Sequence, residues 1–139
     1  MKKVFTLFLF TFALFHAACG VGGTSTGGGQ TIKSTRSGDM NVALSGAGGQ
    51  LKKGENELLV TFTGAADQPL DVGAVSLNFH MAAMGSMAEM NDRATLTTTE
   101  TPGRYRARVN VEMGGTWEAQ IAWQGAHGTG KVTMNVQAK

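Results

Sequence analysis

"PGRYRARVNVEMGGTWEAQIAWQ", residues 102–124, decides the fold. Tyr105, Ala107, Val109 and Val111 alternate with Arg104, Arg106, Arg108 and Asn110. After the break "MGG" the alternation resumes with Trp117, Ala119, Ile121 and Trp123. A two-residue apolar period is that of an extended strand with one face buried, because successive side chains point to opposite sides of the pleat. The period continues in both directions. Met40, Val42 and Leu44 alternate with polar or small residues, as do Leu58, Val60 and Phe62, then Val75, Leu77 and Phe79. Ala94, Leu96 and Thr98 follow, and Val132, Met134 and Val136 complete seven candidate strands.

Glycine-rich turns such as "GAADQP", "ETPG" and "GAHGTG" separate them. The expected fold class is all-β, an immunoglobulin-like antiparallel β-sandwich of about seven strands, with a barrel as the alternative closure. Gly103, Tyr105 and Ala107 resemble a tyrosine corner in which alanine replaces the usual cysteine. Met81 to Asp92 has room for a short turn of helix.

The composition changes N-terminal to these strands. Lys2 and Lys3, an apolar run from Val4 to Phe15 and small residues before Cys19 give residues 1–18 the layout of a secretory signal peptide. The run is shorter than the roughly 20 residues of a spanning helix. "LFHAAC" resembles a bacterial lipobox, with Cys19 lipidated, although His16 stands where that pattern prefers an aliphatic residue. Lipidation and ordinary cleavage are the two readings of this junction. Residues 19–38, rich in glycine, serine and threonine, read as a flexible tether, and 39–139 as the folded domain. These assignments imply an exported protein, anchored to a membrane by lipid and facing the periplasm or cell exterior. Without Lys2 and Lys3 the chain carries ten basic and ten acidic residues. Such a balance steers it neither to nucleic acid nor to an anionic membrane.

"HMAAMGSMAEM", residues 80–90, carries four of the eight methionines. Thioethers are soft, neutral, polarisable donors that favour Cu(I) over hard cations, and imidazole widens the choice of metal. His80 with two or three of Met81, Met84, Met87 and Met90 is therefore a candidate copper site, its donors brought together by a turn at Gly85. Met81 shares the parity of Val75, Leu77 and Phe79, so core and ligand are both open to it. If successive connections alternate between the ends of the sandwich, 46–54, 81–93 and 112–114 share one end, and 64–71, 100–103 and 124–130 the other. Met113 then either caps the core beside Trp117 or completes the site, while His127 lies at the far end. Against a metal role, methionine is also a common core filler, and a row at three-residue spacing could be the apolar stripe of a short helix. The absence of leucine, isoleucine and valine from residues 80–90 argues for the ligand role.

"LNFHMAAMGSMAEM" together with residues 102–124 resembles the YtkA-like domain, an exported β-sandwich related to FixH-type proteins and also found on efflux-pump adaptors. Met81, Met84, Gly85 and Met87 match its "MPxMGxM" loop, with Ala82 in place of the proline. Gly103 and Tyr105 match its "GxY" strand, and Met113, Gly115 and Trp117 its "MxGxW" element. The resemblance implies handling of copper or a related metal outside the cytoplasm, as chaperone, buffer or resistance protein. A rival reading makes the chain an adaptor whose methionine loop docks a membrane-protein partner, such as an oxidase or efflux component. Catalysis is not expected. His80 and His127 sit at opposite inferred ends, no nucleophile elbow is present, and "GVGGTSTGGG" lacks the lysine of a phosphate loop.

Overall fold

The computed structural model describes residues 29–139. The signal segment, the lipidation site Cys19 and the tether up to residue 28 lie outside the described residues. Nine strands form: β1 (Gln30–Ser37), β2 (Met40–Gly46), β3 (Gly54–Thr63), β4 (Ala74–Met81), β5 (Met90–Arg93), β6 (Thr95–Thr98), β7 (Arg104–Val111), β8 (Gly115–Gly125) and β9 (Gly128–Ala138). A three-residue 3-10 turn at Ala47–Gly49 is the only helical piece among the described residues. No described helix is long and apolar enough to cross a membrane.

The strands make two antiparallel sheets, ordered β1-β2-β3-β7-β6 and β5-β4-β8-β9. Apart from β1, the first reproduces the A-B-E-D sheet of an immunoglobulin fold, and β4-β8-β9 the C-F-G sheet with β5 beside it. The fold class is as expected. Two strands are additional. Gln30–Ser37, assigned by composition to the tether, is β1, so the folded unit starts before Asp39. Met90–Arg93 forms β5 rather than a turn of helix, because β4 folds back on itself after Met81.

The alternating residues meet between the sheets. Val42, Leu44, Val60, Phe62, Leu77, Phe79, Val111, Trp117 and Ile121 are fully buried there. Burying each such side chain stabilises the fold by about 1.5–3 kcal/mol over leaving it exposed. The connections alternate between ends as inferred. Loop 51–53 bonds to Lys139 beside the start of β8, whereas the Gly103 carbonyl accepts the Phe62 amide at the other end.

Tyr105 is not a tyrosine corner. That motif belongs at the start of strand F, and the strand order puts Tyr105 on the equivalent of strand E. Its ring packs edge-on to Phe62, 5.8 Å between centroids, and its hydroxyl faces Gly73 O at 2.9 Å and Asp71 Oδ1 at 3.1 Å. The phenol thus ties its own sheet to the chain entering β4 in the other. Burial, then the hydrogen bond to Asp71, push the Tyr105 pKa up. The Gly73 amide and then the Tyr105 hydroxyl draw the Asp71 carboxyl down.

A raised tyrosine pKa contributes stability that is complete below the unfolded value, about 10, and is lost as pH rises through the folded one. Tyr105→Phe is expected to cost about 1–2 kcal/mol at neutral pH. The gap between wild type and variant should narrow above the unfolded tyrosine value, as urea unfolding across pH would show. A constant gap would contradict the tie.

Candidate metal centre

The β4–β5 register governs the site. It sets Phe79 opposite Asp92, His80 opposite Asn91 and Met81 opposite Met90. The same register sets Met84 opposite Met87, which exchange both backbone hydrogen bonds, 3.1 Å from the Met84 amide and 2.9 Å from that of Met87. Gly85 and Ser86 are the two residues between them. Gly85 has φ +59° and Ser86 does not enter positive φ, which is the pattern of a type II′ turn. "MGSM" is therefore the tip of a β-hairpin.

This register explains what the three-residue spacing does. Three is odd, so methionines three apart on one strand point to opposite faces, while partners across the hairpin share a face. The methionines accordingly form two pairs. Met81 is 2% exposed, belongs to the core and would nearly touch a side chain at Gly115. Met90, opposite it, is half-buried against the same core. Of the two roles open to Met81, the core role is the one observed. Met84 and Met87 are 56% and 42% exposed, the only large apolar side chains so exposed among the described residues. Directly opposed residues hold their Cβ atoms about 4.5–5.5 Å apart. Methionine's three flexible torsions can close that distance around one ion.

The hairpin's base is fixed where its tip is free. Asp92, largely buried, accepts the Glu112 amide at 3.0 Å and ties β5 to the β7–β8 connection. Met113 packs half-buried on the core, and its carbonyl accepts the indole N–H of Trp117 at 3.1 Å. Met113 thus caps the core at the same end as the hairpin. His127 is at the far end, beside Met40, Leu70 and Trp123.

His80 faces out of the sheet, between Asn91 on β5 and Glu118 on β8. Its Nδ1 stands 3.1 Å from Asn91 Oδ1, which also accepts from Asn78 Nδ2 at 3.2 Å. A carbonyl oxygen only accepts, so the neutral ring carries its proton on Nδ1 and leaves the Nε2 lone pair free. A ligating histidine is ordinarily oriented by such an acceptor on its other nitrogen. Strand parity gives His80 the side of the sheet that Met84 and Met87 take if the pleat continues through 82–83 and 88–89. Asn91 and Asp92 escaped the sequence reading. A two-residue Gly-Ser turn was the available signal, because reading it as a hairpin would have set the register. Among the described residues no three of His, Cys, Asp and Glu converge on a metal position, so a site here rests on thioethers.

The sequence model of a family described as YtkA-like matches residues 35–122. No curated protein and no solved structure matches the chain.

Gly85→Ala tests the turn. Nothing lies within 4 Å of a Cβ placed there, so the penalty is the left-handed backbone alone, roughly 1–2 kcal/mol. Such a cost is expected to open the tip while leaving the melting temperature of the sandwich nearly unchanged. The measurement is the cross-strand NOE between Met84 and Met87, which should weaken in the variant and stay strong if the tip is held by something else.

Proposed function

This chain belongs to the YtkA-like family, and we propose that it is an extracytoplasmic Cu(I)-binding protein, a copper chaperone or buffer without catalytic activity. Copper is its cargo. The observation that carries this reading is the exposed Met84–Met87 pair, two soft donors held opposite one another by backbone hydrogen bonds at a hairpin tip. Neutral thioethers select a monovalent soft cation, because they cannot offset the dehydration of a small hard divalent ion as carboxylates do. His80, with a free Nε2, is the candidate third donor, reached by a bend of the tip toward the outer face. Met81, Met90 and Met113 are left out of the donor set because they fill the core or cap it. Export and a lipid anchor at Cys19 belong to the same proposal and rest on the sequence.

Exposed apolar surface also favours a second reading. Ala82, Ala83 and Ala88 are exposed beside the two methionines, so the tip presents a small apolar patch suited to docking a membrane-protein partner, an oxidase or efflux component. The two readings part at the sulfur atoms. Docking needs apolar bulk, which leucine supplies; coordination needs the lone pairs, which leucine lacks.

Met84→Leu/Met87→Leu conserves volume and should keep the fold. Titration with Cu(I) against a competing chelator is expected to show binding by wild type and none by the double variant. Saturating Cu(I), at a hundredfold excess over Kd, should stabilise wild type by about 2.7 kcal/mol, raising Tm by on the order of 10 °C for a domain of this size. Equal affinity in the two proteins would remove the hairpin from metal binding. A wild type without a Cu(I) response would leave the docking reading.

A further inference from the structure

The exposure that makes Met84 and Met87 available to a cation makes them available to oxidants, and nothing comparable holds for the other described methionines. Met81 and Met134 are only 2% and 3% exposed, and Met40, Met90 and Met113 are half-buried against the core. We propose that the Met84–Met87 hairpin is a site of oxidative modification, in which peroxide converts the paired thioethers to sulfoxides and shuts off soft-metal binding without unfolding the sandwich. The second half of this proposal rests on the Cu(I) reading; the first does not.

The step balances without a metal. A sulfur lone pair attacks one oxygen of hydrogen peroxide, the S–O bond forms as the O–O bond breaks, and proton transfer releases water. Sulfur loses two electrons and the peroxide gains them. The product keeps its place at the tip, because the hairpin is closed by backbone hydrogen bonds and a glycine turn that involve no side chain. A sulfoxide is polar, and its oxygen is a hard donor. An exposed tip tolerates that polarity, whereas at Met81 or Met134 the same oxygen would be buried without a partner. A soft cation, however, loses the donors it prefers. Position and chemistry together therefore separate the two effects of methionine oxidation. Here it changes ligand character and leaves the core intact.

The experiment treats metal-free protein with graded hydrogen peroxide and maps each methionine by peptide mass spectrometry. Thermal unfolding and Cu(I) affinity follow on the same samples. Met84 and Met87 should gain about 16 Da each, several-fold faster than Met40, Met113 or Met134. The melting temperature should hold, and Cu(I) affinity should fall in step with oxidation at the tip. Oxidation of the core methionines at the same rate as the tip would overturn the modification site, and a melt that drops as the tip is modified would overturn the claim that the sandwich is left intact. Tip oxidation with undiminished Cu(I) affinity would overturn the shut-off. If untreated protein fails to bind Cu(I), the functional reading fails and the shut-off with it, while the modification site is still decided by the mapping.

Discussion

The pairing register of β4 and β5 is the constraint on which the site depends. With Gly85 and Ser86 as a two-residue turn, Met84 pairs with Met87 and Asn78–Met81 pair with Met90–Arg93, which fixes the partner of each of these residues. A shift of one residue would turn Phe79 and Met81 to solvent and bring His80 and Asn78 inward, so the buried side chains hold the register as firmly as the turn does. Both ends of the hairpin specify one arrangement. That arrangement places two methionines in the core and two outside it, which the spacing by itself does not reveal.

The rest of the molecule secures the base of that hairpin. Asp92 reaches the Glu112 amide, Met113 closes over Trp117, and Asn56 binds the carbonyls of Lys52 and Gly54 at the same end. At the far end Phe62 contacts both Tyr105 and Trp123 edge-on, and Tyr105 bonds across to the start of β4. Stability thus resides in the body of the sandwich. The tip contributes little buried surface, so its chemistry can change at small cost to the fold.

What could be read from the sequence follows from how much each strand buries. β7, and β8 from Thr116 to Gln124, alternate without a break, so their apolar period identifies them directly. β1 was hidden because Gln30–Ser37 is an edge strand of threonine, serine and cationic residues, with Ile32 its one side chain packed against the core. β5 was hidden for a related reason. It has four residues, and its buried inward position is Asp92, a carboxylate satisfied by a backbone amide contributed from another loop. Tyr105 was misassigned because its local pattern is that of the corner motif, whereas strand identity depends on long-range pairing. In the site, the residue types and the inward parity of Met81 were legible, whereas the faces of Met84, Met87 and Met90 were not, since beyond Met81 a face follows from register and register from one turn.

Leucine at positions 84 and 87 would give the hairpin the same backbone and the same apolar bulk. The choice of methionine at its two most exposed apolar positions therefore needs a reason beyond folding, and sulfur is the difference. Cysteine would bind a soft metal more tightly, but a thiolate pair in an oxidising compartment is readily lost to a disulfide. Thioethers cannot form that bond and carry no proton to release, so they bind more weakly and remain available. Weak, proton-independent capture at an exposed tip is what the proposed Cu(I) chaperone or buffer would need in order to release its cargo.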